Sequence, residues 1–205
     1  MLVFNNLISA ILSVFVFSLI PFVFYYFNRK EYKDFFNYIG LIKPKKKTII
    51  HSIIVSILYV SLIFFVYYLF DLFTILKSPG TVSGNLKQLG FGIQAVLILL
   101  IRSIIGTGLW EEIIFRGFLG KRLYNKLGFL YGNIIQSILF GLLHGVIFFD
   151  INKIIVIIVL TLTTGIFGYI FGYLNERLGN GSIIPSWCAH SVANIISFSL
   201  IAFVI

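Results

Sequence analysis

Five stretches of this chain contain no Asp, Glu, Lys or Arg: 1–28, 48–70, 127–149, 154–175 and 178–205. A helix rises about 1.5 Å per residue, and roughly 20 mainly apolar residues cross the hydrocarbon of a bilayer. Each stretch is therefore long enough to span a membrane. A sixth apolar segment, about 91–118, is interrupted by Arg102 and by the group Glu111, Glu112 and Arg116. No segment alternates with period two, and backbone in lipid must satisfy its own hydrogen bonds. The chain reads as all-α, a polytopic membrane helical bundle of about six transmembrane helices. A mean hydropathy of +1.02 with 11% charged residues excludes an ordinary soluble domain.

Charge fixes an expected orientation. Residues 29–47 carry seven basic side chains, including "KPKKK" at 43–47; residues 116–126 carry four, and Arg177 follows the fifth span. The alternate loops hold only Lys77, Lys87 and Lys153. Cytoplasmic loops collect lysine and arginine, so the basic loops are expected in the cytoplasm and both termini outside. The +9 net charge is explained by lysines beside anionic headgroups, and no nucleic-acid partner is expected. The first run lacks a basic leader and is too long for a signal-peptide core, so it reads as a retained anchor. The lone Cys188 excludes an intrachain disulfide and a cysteine-rich metal cluster, and reads as a small buried hydrophobe.

Three regions follow. Residues 1–70 form a pair of spans around the basic loop, and 71–90, with Pro79, Gly80 and Gly84, read as a flexible loop. Residues 91–205 read as one compact helical core. Within it Gly141 and Gly145, and Gly168 and Gly172, have the four-residue spacing that lets helices approach closely.

Ionisable residues at membrane depth are expensive and face a protein interior or a watery cavity. Glu111, Glu112 and Arg116 lie on the third span, Phe140 and His144 on the fourth, His190 and Asn194 on the sixth. Glu112 and Arg116 are four apart and share a helix face, as do Phe140 with His144 and His190 with Asn194. Glu111 points about 100° away from Glu112. Singly, each has an ordinary reading: a packing histidine, an interfacial Glu–Arg pair, an asparagine bridging helices. Together they matter more, because apart from Asp150 and Glu176 they are all the acidic and histidine residues of the core. Two histidines, two carboxylates and an amide are the components of a hydrolytic centre. His51, on the second span beside the lysine loop, lacks such company and reads as a packing histidine; Arg102 reads as a structural or pathway residue.

The ordered set "EEIIFR" at 111–116, "FGLLH" at 140–144 and "HSVAN" at 190–194 resembles the CPBP family. These are the CAAX prenyl protease and bacteriocin-processing intramembrane proteases, whose motifs are EExxxR, FxxxH and HxxxN. The resemblance covers about 98–196, and "YIGLIKP" at 38–44 is similar to a segment found ahead of the family core. It implies an intramembrane endopeptidase whose active site is formed by three helices of the core, near the cytoplasmic face. In that resemblance Glu111 is the general base, His144 shares its water, and His190 and Asn194 donate to the oxyanion. Glu112 and Arg116 orient the pair or touch substrate, and Phe140 supports it.

The residues leave the metal open. His144, His190 and Glu111 or Glu112 would form a three-ligand zinc set with a position for water, whereas Asn194 suits an oxyanion donor better and favours metal-free chemistry. No cofactor is required; zinc is the one the set admits. The expected partners are the lipid bilayer and a membrane-associated peptide or protein substrate, in particular a secreted or signalling peptide of a bacterium. That last inference follows from a composition rich in Ile, Phe, Lys and Asn. Oligomeric state has no signature. A scaffold or immunity factor that keeps the fold without proteolysis is the alternative, and a transporter is third, lacking any inverted repeat.

Overall fold

The computed structural model describes residues 1–29, 33–148 and 154–205, and every regular element among them is helical. Lys30, Asp150 and Lys153 lie outside the described residues. In chain order the α-helices are α1 (Leu2–Arg29), α2 (Phe35–Tyr38), α3 (Lys47–Leu69), α4 (Phe73–Leu76), α5 (Val82–Leu89), α6 (Ile93–Leu100), α7 (Trp110–Glu112), α8 (Lys121–Val146), α9 (Ile154–Tyr173) and α10 (Ile184–Phe203). Two π-helical stretches, Ile101–Leu109 and Ile113–Gly120, join α6, α7 and α8 into one continuous rod, and a third, Leu174–Leu178, extends α9.

Five helical stretches are long and apolar enough to cross a membrane, and the third of them runs over Ile93–Val146. That one is bent back at Gly128, whose φ of 76° and ψ of 164° are not helical. A side chain there would be strained, which is why a glycine makes the break. Beyond it the chain returns alongside the segment it has just left: the Phe140 ring lies 5.2 Å from that of Phe115. The rod thus supplies two crossing segments, and six apolar helices form the bundle.

Lipid gives helices no hydrophobic reason to associate, so close packing of small residues has to do it. The glycines singled out by spacing do this between α8 and α9. A Cβ on Gly141 would strike the Thr161 carbonyl, and one on Gly145 would strike the Thr161 side chain. From the other side, a Cβ on Gly168 would press on Phe140 and Ser137, and one on Gly172 on the Asn133 amide. Polar side chains complete the seam: Gln136 Nε2 donates to the Gly168 carbonyl at 3.0 Å and Asn133 Nδ2 to the Tyr169 carbonyl at 2.9 Å.

The three basic segments meet at one end of the bundle. Lys121 Nζ reaches Glu176 at 2.9 Å and the Gly181 carbonyl at 2.7 Å. Arg122 donates to the Tyr38 carbonyl at 3.2 Å and lies over the Tyr38 ring, and Thr48 Oγ1 donates to the Leu178 carbonyl at 3.0 Å. "YIGLIKP" is clamped here too. Ile183 N donates to the Gly40 carbonyl at 2.8 Å, Ser182 Oγ donates to that of Ile42 at 2.5 Å, and Ile39 is buried with Ile113 and Ile183. The opposite end is built by 70–92. Its residues 71–90, expected as a flexible loop, carry α4 and α5. Thr81 caps α5 by accepting from Gly84 N at 2.9 Å, and Leu86 is fully buried against Ala95, Ile98, Leu99 and Ala202. The Pro–Gly pair makes a turn, and the apolar face of α5 holds it down.

Gly141→Val should separate α8 from α9 and cost about 1–3 kcal/mol of stability, read as a lower unfolding midpoint in detergent. Leu142→Val, on the exposed side of the same turn, should leave that midpoint unchanged.

Candidate active site

Adjacent glutamates on a helix point into different surroundings, and here the difference is complete. Glu112 is 0% exposed. Its Oε1 accepts from Arg116 Nη1 at 3.0 Å and pairs with His190 Nδ1 at 3.0 Å, and its Oε2 accepts from Ser186 Oγ at 2.5 Å. Ser186 is held in turn by Asn175: Asn175 Nδ2 donates to Ser186 Oγ at 2.7 Å, and Asn175 Oδ1 accepts from Ser186 N at 3.0 Å. Arg116, 1% exposed, lies with its guanidinium carbon 3.9 Å from the Phe140 ring centre and 5.1 Å from that of Phe171. A buried cation thus has one carboxylate and two aromatic faces to replace its water.

Glu111 looks the other way. Its Oε2 stands 3.8 Å from His144 Nε2 and 3.8 Å from His190 Nε2, and it makes no hydrogen bond to the described residues. Both imidazoles are oriented from behind. His144 Nδ1 bonds the Phe140 carbonyl at 2.9 Å, and His190 Nδ1 bonds Glu112. A carbonyl and an arginine-paired carboxylate only accept, so each Nδ1 is assigned the proton and each neutral Nε2 presents a lone pair to Glu111. Three acceptor atoms converge on one spot. Phe140 fills the space beneath, its ring centre 4.5 Å from that of His144 and 5.9 Å from that of His190.

Asn194 stands one helical turn beyond His190. Its Nδ2 donates to Thr107 Oγ1 at 2.9 Å, while Thr107 Oγ1 donates to the Arg102 carbonyl at 3.1 Å. The Thr107 to Arg102 link spans five residues of the first π-helical stretch. π-Turns are rare and recur at functional sites; this one carries Thr107 to α10. Gly108 allows the approach, since a Cβ on it would come within 3.0 Å of Ser191 Oγ. Glu111, His144, His190, Asn194, Thr107 and Phe140 all line one cavity of about 210 Å³. Glu112 and Arg116 do not line it.

The structure therefore brings together every residue that the three motifs nominated, with Glu112 and Arg116 behind His190 rather than in the cleft. His51 is not part of this group; it lines a separate hollow with Lys45, Lys46, Lys47 and Arg177. Sequence reasoning missed Ser186, Asn175 and Thr107. Ser186 precedes His190 by four residues and Thr107 precedes Glu111 by four, a same-face spacing that could have found them; Asn175, on another helix, has no such signal. For a metal the donor types are suitable, but two ligands of a tetrahedral zinc with 2.0–2.1 Å bonds lie about 3.3 Å apart. The 3.8 Å spacings are wider, and among the described residues no three His, Cys, Asp or Glu side chains are arranged to hold a metal ion.

Removing one member of a buried pair leaves the other charge uncompensated, at about 3–5 kcal/mol. Arg116→Met should therefore destabilise the protein by that order in detergent unfolding. The double variant Arg116→Met, Glu112→Gln should recover much of the loss.

Residues 93–196, about half of the chain, match the family model described as Rce1-like, the type II CAAX prenyl endopeptidases. Over 66 residues the chain is 41% identical to a Bacillus subtilis (strain 168) protein named "Putative membrane peptidase YdiL". That stretch is 32% of this chain and 27% of YdiL, so the match spans about a quarter of the curated relative. No solved structure matches the chain.

Proposed function

Because this chain belongs to the Rce1-like family of type II CAAX prenyl endopeptidases, we propose that it is an intramembrane endopeptidase in which Glu111 activates water. The observation that carries the reading is the convergence of Glu111 Oε2 with two imidazole Nε2 atoms in a cavity within the bundle. A water there donates one hydrogen to Glu111 and the other to an imidazole lone pair, which leaves an oxygen lone pair facing a peptide carbonyl. Glu111 takes the proton as the O–C bond forms. It then hands that proton to the amide nitrogen as the C–N bond breaks, giving a carboxylic acid and an amine, which exchange a proton to become carboxylate and ammonium.

The oxyanion needs donors. Asn194 Nδ2 has two hydrogens and commits one to Thr107, so the second is available. His190 can donate through Nε2 only when protonated, because its Nδ1 proton is held by Glu112. The Glu112 carboxylate directly behind the ring fixes its orientation, as the carboxylate behind a catalytic histidine does in hydrolytic triads. Glu112, Arg116, Ser186 and Asn175 are on this reading positioning residues for His190. His144, Glu111, His190 and Asn194 touch the reacting atoms.

No step is routed through a metal. The preferred substrate is a membrane-associated peptide or protein, in particular a secreted or signalling peptide of a bacterium. Lysine and arginine counts set Glu111 toward the cytoplasmic end of its span, while the cavity runs from it away from the basic end.

Wild type and Glu111→Gln, expressed at matched abundance, should differ in membrane-associated and secreted peptide termini read by mass spectrometry. Ends dependent on Glu111 name the substrate; identical ends would favour a scaffold. On that substrate, purified Glu111→Gln should lose about 10²–10⁴-fold in rate, the usual contribution of a general base. Second, treatment with a zinc chelator followed by its removal should leave the wild-type rate unchanged. A loss restored by zinc would return His144 and His190 to the role of ligands.

A further inference from the structure

The catalytic cavity and the basic segments lie at opposite ends of the bundle. From Glu111 and His190 the cavity passes His144 and Asn194 and continues to Tyr67, Ser83 and Ile147. Each of these last three belongs to the end away from the three basic segments. Tyr67 is in the last turn of α3, whose first residue is Lys47. Ile147 follows the last turn of α8 and is exposed, and Ser83 sits in α5 on the 70–92 connection.

The other direction is filled. Between Glu111 and the basic end stand Glu112, Arg116, Asn175, Ser186, Leu174 and Ile183, all 2% exposed or less. These groups are bonded or packed to one another, so the site has a solid floor on the lysine side.

Of the 16 lysines and arginines, 12 fall in the three segments gathered at the closed end. Discounting Arg116, which is buried against Glu112, leaves 11 of 15. A bias of this size sets orientation in the bilayer, with the closed end in the cytoplasm and the open end outside. We propose that the active site is reached from the extracytoplasmic side, so that its substrate is a peptide segment already carried across the membrane. The reaction that supplies this substrate is then a translocation, and cleavage follows export. Among the described residues Glu111 is the one Asp, Glu, Lys or Arg lining the cavity, which suits an apolar, uncharged stretch around the scissile bond. The word substrate rests on the proteolytic reading above; the direction of access does not.

The test uses the single native thiol. In a Cys188→Ser background, one cysteine is placed at a time at Ile147, at Lys46 and at Ser197. Ile147 and Lys46 are exposed, at the open and closed ends; Ser197 lines the cavity wall. Intact protoplasts are treated with a membrane-impermeant sulfonated maleimide, and labelling is compared with that after permeabilisation. Ile147→Cys and Ser197→Cys should label in intact cells, and Lys46→Cys only once the membrane is opened. Labelling of Lys46→Cys in intact cells would overturn the proposal. So would Ser197→Cys reacting only after permeabilisation, even with Ile147→Cys labelled from outside. Because no substrate is needed, a proteolytically silent protein would give the same pattern, and a missing peptide product would bear on catalysis alone.

Discussion

The buried carboxylate of Glu112 is the point at which three crossing helices are tied together. Arg116 reaches it from its own rod, while Ser186 and His190 reach it from α10, and Asn175 steadies Ser186 from the π-helical end of α9. A charge at membrane depth is tolerable only when its desolvation is offset by such partners. The network fixes the ring of His190 as it satisfies the charge. Arg116 carries the effect further, since its guanidinium covers Phe140, and the carbonyl of Phe140 orients His144. The ion pair therefore fixes the His190 ring, the α8 backbone carbonyl of Phe140 orients His144, and Glu111 faces both imidazoles.

Such an arrangement demands close approach of backbones in a solvent that does not drive them together. The glycine steps between α8 and α9 supply it on one side, and Gly108 beside Ser191 on the other. The π-helical turns before and after α7 make the same accommodation within the rod, carrying Thr107 to Asn194. The segment 38–44, far from the motifs in sequence, closes the floor under this assembly by its bonds to Ser182 and Ile183. Its kinship to the core, visible only as a resemblance in the sequence, is thus a packing relation.

Floor and mouth have different physical chemistry. The floor is polar and buried: Glu112 is bonded by Arg116, Ser186 and His190. Among the described residues Arg116 Nε and Nη2 have no hydrogen-bond acceptor, and the guanidinium lies over aromatic rings. The mouth, among the described residues, is mainly aromatic and aliphatic. A peptide bond brought to Glu111 from the mouth leaves water for a site whose dipoles are already oriented, the condition in which electrostatic stabilisation is strongest.

Much of this protein was legible in the sequence. Uncharged runs longer than a bilayer is thick required membrane helices. Ionisable residues that could not be left in lipid required an interior, and four-residue spacings gave the Glu112–Arg116 pair and the common face of His190 and Asn194. Those are statements about single helices, where angular spacing is set by local geometry. What lay between helices was not legible. The sequence could not say that Ser186, Asn175 and Thr107 hold the site, that 70–92 is helical and packed, or toward which end the cavity opens. Each depends on which faces meet and how closely. That is decided by glycine contacts and buried hydrogen bonds between residues dozens of positions apart, and only the tertiary structure brings them together.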